Sequence, residues 1–177
     1  MDRPHAPDAY IFETAAETTS AADFLRKACA YATAHSDDKD TQNGAVLVSS
    51  SREVFAANMV PGRVQVTDER VSRPLKYQFI EHAERTSILR AALNGVQTDG
   101  ATVYCPWYAC IDCARAIIVS GIKRVVGLKR LRDLTPERWM ESIATADLLL
   151  KEAGVETELI DETLGVTIRF NGTDVQV

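Results

Sequence analysis

Three side chains in this sequence have the chemistry of metal ligands, and they fall in two short stretches. His82 stands in Glu81-His82-Ala83-Glu84; Cys110 and Cys113 bound Cys110-Ile111-Asp112-Cys113. Three protein donors suit a catalytic zinc site, because tetrahedral zinc keeps its fourth position for water. Glu84 lies two residues beyond the histidine, where a carboxylate can handle that water's protons. Other chemistry is open to the same residues. A Cys-x-x-Cys pair also serves redox exchange. A structural site of two cysteines and two histidines, or of four cysteines, would draw on Cys105, Cys29 or His35 to complete its ligands.

The elements that must position these groups follow from pattern and punctuation. Ser20 caps a helix that runs through Phe24, Leu25, Cys29 and Tyr31 to about Ala34. Gly44 to Val48 reads as a buried strand, with Glu53 to Ala57 returning as a hairpin partner. From Asn58 to Phe79 the pattern dissolves around Pro61-Gly62 and Pro74, and a loop of that length in a small domain is commonly functional. His82 to Leu93 is expected as a helix whose apolar face is Ile88, Leu89, Ala92 and Leu93, stopped by Asn94-Gly95. A strand over Ala101 to Cys105, a helix from Cys110 to Val119 and a strand over Val125 to Leu128 come next. Thr135-Pro136-Glu137 opens a long helix to about Ala153, with the threonine as cap. Strands over Val155 to Ile160 and Val166 to Phe170 complete the chain, the second followed by a turn at Asn171-Gly172.

Both halves of the ligand set therefore fall at helix starts. Cys110 and Cys113, three apart, share a helix face, and the positive end of the helix dipole favours the thiolate form that binds zinc. The alternation of helices and strands predicts an α/β layered domain around a central sheet, and a helical crossover lets its flanking strands run parallel.

Composition narrows the function. The chain has 177 residues and a formal net charge of −5. That length suits one domain, expected over residues 19–177, with residues 1–18 as a flexible N-terminal arm. Broad electrostatic binding to a polynucleotide requires a basic face, so the acidic balance argues against that partner and leaves a small phosphorylated substrate open. No apolar run reaches the ~20 residues of a membrane helix, the N-terminus lacks a basic-then-apolar signal pattern, and a cytoplasmic location is expected.

His82-Ala83-Glu84, Ala101 to Tyr104 and Cys110-Ile111-Asp112-Cys113-Ala114-Arg115-Ala116-Ile117-Ile118-Val119-Ser120-Gly121-Ile122 together resemble the zinc-dependent cytidine and deoxycytidylate deaminase superfamily. Within it the chain is most similar to deoxycytidylate (dCMP) deaminases, through Ser36 to Val48 and through Asn58 followed by Pro61-Gly62. The resemblance spans about Ala21 to Ile160. It implies a three-layer α/β/α domain with a central mixed sheet of about five strands, the last two core strands parallel. It implies Zn2+ on His82, Cys110 and Cys113, with Glu84 as the catalytic proton carrier. The implied reaction is hydrolytic deamination of a cytosine nucleotide, dCMP to dUMP and ammonia. Another nucleoside, base, triphosphate or tRNA base is the alternative substrate, and a non-catalytic zinc-stabilised binding module the alternative of another class.

By the same resemblance Asn58 contacts the sugar or base, where its ordinary role would be to cap a turn. Trp107, Tyr108 and Tyr77 are candidates to stack near the base, with core packing as the alternative. Arg63, Arg73 and Lys76, with Arg70 on the same loop, are candidates to hold a 5′-phosphate. Lys123, Arg124, Lys129, Arg130 and Arg132 form a second basic cluster. Family members commonly form homo-oligomers. One departure stands out: the family usually has proline immediately before its first zinc cysteine, and here that residue is Ala109, with Pro106 earlier.

Overall fold

The computed structural model describes residues 10–13, 19–50 and 52–177. Helix α1 (Ala21–His35) starts at Ser20, whose hydroxyl accepts from the Asp23 N–H while the Asp23 carboxylate accepts from Ser20 in return. This reciprocal cap satisfies two amides that a helix start otherwise leaves unpaired. Phe24, Leu25, Ala28, Cys29 and Ala32 form its buried stripe. That stripe lies on strands β2 (Gly44–Val48) and β3 (Arg52–Ala57), the expected hairpin, in register from Gly44 opposite Ala57 to Val48 opposite Glu53. Gly44 permits the approach: a β-carbon there would stand 2.2 Å from the Ala28 carbonyl oxygen.

The sheet has six strands in the order β1-β3-β2-β4-β5-β6, where β1 is Ile11–Glu13, β4 Thr102–Tyr104, β5 Arg124–Leu128 and β6 Glu156–Ile160. Strands β1, β3, β2 and β4 pair antiparallel; β4, β5 and β6 run parallel. The expected parallel pair is therefore β5 and β6, and β4 extends it. Helical crossovers make this possible: α4 (Ile111–Val119) links β4 to β5, and α6 (Glu137–Glu152) links β5 to β6. The sixth strand, β1, falls within residues assigned to the N-terminal arm; its three residues are too few to show an alternation. Tyr10 before it is buried, and residues 1–9 and 14–18 of that arm lie outside the described residues.

Helix α1 occupies the sheet face that carries Val46, Phe55 and Tyr104, with the Phe24 ring stacked on Tyr104 at 4.5 Å. Helix α3 (Ala83–Leu93) packs on β2 and β3 from the other face and touches α4, which packs on α6. Its burial departs from the expected pattern. The buried residues are Ala83, Glu84, Thr86, Ser87 and Ala91, while Leu89 and Leu93 are exposed. Two short helices were not expected from the pattern: α2 (Lys76–Phe79) within the long loop and α5 (Lys129–Asp133) after β5. Neither is long enough to establish a helical period. Thr135 is not the cap of α6; Pro136 holds that position, and the Thr135 hydroxyl accepts from the Trp107 indole N–H instead. After β6 the chain ends in an antiparallel hairpin of β7 (Thr167–Phe170) and β8 (Thr173–Gln176), turning at Asn171-Gly172.

Candidate active site

His82 and Cys110 are the N-cap residues of α3 and α4, and Cys113 lies in the first turn of α4. The two helix starts face each other. His82 Nδ1 is 3.5 Å from each sulfur, and the sulfurs are 3.5 Å apart. Ligands on a tetrahedral zinc at bond lengths of about 2.0–2.3 Å lie about 3.5–3.8 Å from one another, so the donor set fits that ion in both chemistry and spacing. Among the described residues, this trio is the one group of His, Cys or carboxylate donors close enough to hold a metal. Cys29 and Cys105, the alternative further ligands, are buried elsewhere in the core.

The ligand side chains polarise one another. Cys110 is pulled down to about 3, chiefly because the Cys113 S–H donates to its thiolate, with His82 adding to the effect. Cys113 is pushed well above its usual range by that same role as donor, and then by burial. A divalent ion takes both cysteines as thiolates, because the deprotonated sulfur is the metal ligand. Arg85 adds a fixed positive charge: its guanidinium lies 4.0 Å from Cys113 Sγ and is anchored by Glu81 and, at 3.6 Å, by Asp112. Nothing in its spacing marks Arg85 from sequence beyond its place one residue after Glu84.

Each ligand stretch is braced. The Glu81 carboxylate accepts from the His82 amide at 2.8 Å, and Asn58 Oδ1 accepts from the Ala83 amide at 3.0 Å. Asn58 Nδ2 donates to the Thr41 carbonyl at 3.2 Å, so its buried side chain ties the first loop to the start of α3. Ser142 of α6 accepts from the Ile111 amide at 3.2 Å, capping α4 from outside. The segment before Cys110 is held by Asn43, whose Nδ2 donates to the Trp107 carbonyl at 2.9 Å and whose Oδ1 accepts from the Trp107 amide at 3.3 Å. Ala109 is buried on the cavity wall.

The space in front of the trio measures about 620 Å3 with its opening to solvent included. Glu84, Asn58, Trp107, Asp38, Lys76, Tyr77 and Arg138 are among the residues that line it. Burial pushes the Glu84 carboxyl up from its usual range, opposed by the positive charge of His82. That is the environment of a carboxyl able to take up and release a proton.

The remaining sequence candidates divide. Trp107 lines the cavity, set edge-to-face against Trp139 at 6.0 Å and Phe170 at 5.0 Å. Tyr77 borders it with an exposed ring. Tyr108 also borders it, but its ring is wedged against Gly127, where a β-carbon would come within 2.6 Å, and under the Arg132 guanidinium. That ring is a packing element between strand and helix. Lys76 is buried and binds Asp38 at 2.7 Å and Asp40 at 3.1 Å, so its charge is already committed. Arg63 is exposed and does not line the cavity, and Arg70 lies over the Phe79 ring. Arg73 donates to the Tyr77 hydroxyl at 3.1 Å. In the second basic cluster, Arg124 pairs with Glu156 and Glu158, Lys129 with Asp133, and Arg132 with Asp147. Sequence reasoning missed Arg138 and Trp139. Both belong to α6, and nothing in a helix pattern states which turn of it will reach a site built from α3 and α4.

A mixed α/β sheet with two helix starts converging on a His-Cys-Cys trio beside a buried glutamate defines a zinc-dependent hydrolytic enzyme. The chain belongs to the cytidine and deoxycytidylate deaminase family: the sequence model of that family's zinc-binding region matches residues 18–129. The chain is 32% identical over 122 residues to an uncharacterized deaminase of Aliivibrio fischeri, an alignment covering 68% of this chain and 80% of that one. It is 41% identical over 75 residues to the deoxycytidylate deaminase of Enterobacteria phage T4, covering 42% of this chain and 35% of the phage protein. The chain thus spans about a third of that relative's length. In fold it is similar to the dCMP deaminase of cyanophage S-TIM5 in complex with dCMP and dUMP, with a TM-score of 0.60 at 22% identity over 77% of this chain and 93% of that one. Zinc is the metal of this family, and the His-Cys-Cys trio is placed to hold it. Among the described residues no helix is long and apolar enough to cross a membrane.

Proposed function

We propose that this deaminase converts dCMP to dUMP and ammonia, with zinc held by His82, Cys110 and Cys113. The observation that carries the reading is the buried Glu84 carboxyl, two residues from His82 on a wall shared with Cys110. Bound zinc acidifies water and so supplies hydroxide at neutral pH. Glu84 takes the water's proton and passes it to ring N3, which makes C4 of the cytosine more electrophilic. After hydroxide adds to C4, Glu84 takes the proton of the added hydroxyl and gives it to the amine, which leaves as ammonia while the C4 carbonyl forms. A raised carboxyl pKa suits both halves of that shuttle. Asn58 and Trp107 line the space beside Glu84 where the nucleotide would lie, Tyr77 is at its border, and similarity to dCMP deaminases supports the choice of base and sugar.

The test is ammonia release from dCMP, CMP, dCTP, cytidine, deoxycytidine, adenosine and guanine, with zinc quantified in the same samples. Highest turnover on dCMP is expected. Glu84→Gln is expected to keep stoichiometric zinc and lose nearly all turnover, and near-normal activity in that variant sinks the mechanism. Association of copies is part of the proposal, supported by the exposed Leu89, Leu93 and Val119 on α3 and α4; light scattering that finds only monomer overturns it.

A further inference from the structure

Strands β2 and β4 pair Val48 with Thr102 and Val46 with Tyr104, a register that sets Asn43 opposite Trp107. The backbone ladder stops at Tyr104, and Pro106 has no amide to extend it. The Asn43 side chain makes the pairing instead. Its Nδ2 donates to the Trp107 carbonyl at 2.9 Å and its Oδ1 accepts from the Trp107 amide at 3.3 Å. One carboxamide thus offers a donor and an acceptor to a single residue, as a neighbouring strand would. Asn43 is 4% exposed, and its Nδ2 also donates to the Cys105 sulfur at 3.2 Å.

The C-terminal hairpin holds the same tryptophan from another side. The buried Phe170 ring meets the Trp107 indole edge-to-face at 5.0 Å. The hairpin is fastened to the loop that leads into Asn43. The Gly172 amide donates to the Asp40 carbonyl at 2.8 Å, and the Asn171 amide to the Thr41 hydroxyl at 3.4 Å. Gln42 exchanges two bonds with Arg169, donating its amide at 2.8 Å and accepting at its side-chain oxygen at 3.1 Å. The indole N–H is taken up by the Thr135 hydroxyl at 3.0 Å. Backbone, ring and ring nitrogen are therefore each held, by separate parts of the chain.

We infer that Asn43 and Phe170 are positioning residues that fix Trp107 in one pose on the cavity wall, so that the C-terminal hairpin sets the affinity for substrate; the kinetic part of this rests on the deaminase reading above. A side chain left free to change rotamer must be ordered when a ligand comes to lie against it, which costs about 2- to 10-fold in affinity. A ring fixed in advance avoids that cost. The gain falls on binding and not on the chemical step, because Trp107 stays in the same pose before and after the substrate arrives. Thr135 and Phe170 both lie beyond residue 129, where the family match ends, so this support belongs to the C-terminal part of the chain.

The experiment compares Asn43→Ala and Phe170→Leu with Ile168→Ala on the zinc-loaded full chain. Ile168 is 2% exposed on the same strand as Phe170, so its truncation weakens the packing of the hairpin and serves as the control for stability alone. Two quantities are read under conditions where every variant is folded: KM and kcat for dCMP, and the hydrogen exchange of the Trp107 indole N–H by NMR. Asn43→Ala and Phe170→Leu are each expected to raise KM about 2- to 10-fold with kcat retained, and to speed the indole exchange. Ile168→Ala is expected to lower the unfolding midpoint and leave both readings in place. An unchanged KM in the two test variants overturns the inference, as does a loss confined to kcat, or an equal rise in KM in Ile168→Ala. Should Asn43→Ala fail to fold, Phe170→Leu, which keeps an apolar side chain in place of the ring, carries the test. If the wild-type chain does not deaminate dCMP, the proposed substrate falls and the exchange measurement decides the inference separately: a Trp107 N–H loosened by Phe170→Leu and not by Ile168→Ala sustains it, and one indifferent to Phe170→Leu overturns it.

Discussion

Lys76 poses a choice between a cation for substrate and a cation for the fold, and Lys76→Met separates the two. Its ammonium lies 2.7 and 3.0 Å from the two Asp38 oxygens and 3.1 Å from Asp40. The lysine and Asp38 side chains are only 4% and 9% exposed. Methionine fills nearly the same volume but leaves a buried carboxylate with no ammonium. Breaking one side of such a pair costs about 3–5 kcal/mol, because the remaining charge has lost its compensation and has no access to water. With a urea dependence of about 2 kcal/mol per molar, the unfolding midpoint should fall by about 1.5–2.5 M. Asp38→Asn on top of Lys76→Met removes the orphan charge while its amide oxygen still accepts the Asp40 and Thr41 amides, so the double variant should recover more than half of the loss. A midpoint within about 0.5 M of wild type, together with a KM increase confined to dCMP, would refute this reasoning and return Lys76 to the substrate.

Three further outcomes follow from other contacts. Gly44→Ala sets a methyl 2.2 Å from the Ala28 carbonyl oxygen, so α1 must move by about 1 Å to restore contact distance; a loss of about 2–3 kcal/mol or more is expected in urea unfolding, and a neutral result would mean α1 slides freely on β2. Burial pushes the Cys29 thiol up to about 12, so between pH 9 and that value the unfolded chain releases a proton the folded chain retains. Stability from this group is therefore full below pH 9 and lost as pH rises, by about 1.4 kcal/mol per unit, and Cys29→Ala should remove that share of the slope. Chelating zinc should lower the melting temperature and release the Cys110 and Cys113 thiols for alkylation before Cys29 or Cys105 react; equal labelling of all four would contradict the placement of the trio.

The parts of the fold that were legible in the sequence are those whose local signals agree with their tertiary role. Ser20, Gly44 to Val48, and the turn at Asn171-Gly172 each carry a cap, an apolar run or a left-handed residue that the structure uses as such. What was not legible depends on partners far away in sequence. Lys76 and Arg73 look alike on a loop, and only the return of Asp38 from 38 residues earlier distinguishes the buried cation from the exposed one. Asn43 and Ser142 brace the cysteine helix through contacts no spacing rule encodes.

Helix α3 shows why the pattern failed where it did. Hydrophobic periodicity puts Leu89 and Leu93 inward, yet they are 61% and 66% exposed while Glu84, Thr86 and Ser87 are buried. Turning the helix to bury the leucines would rotate Glu84 off the cavity wall. The Thr86 hydroxyl, buried with no hydrogen-bond partner among the described residues, is one cost of the rotation the helix adopts. The helix lies with its small residues Ala83, Ser87 and Ala91 against the sheet, which brings its N-terminus, and with it His82, close to the start of α4. Burying a carboxyl and two hydroxyls while exposing two leucines is unfavourable for a helix whose only task is to pack. Here the site sets the rotation, and the hydrophobic pattern gives way to it.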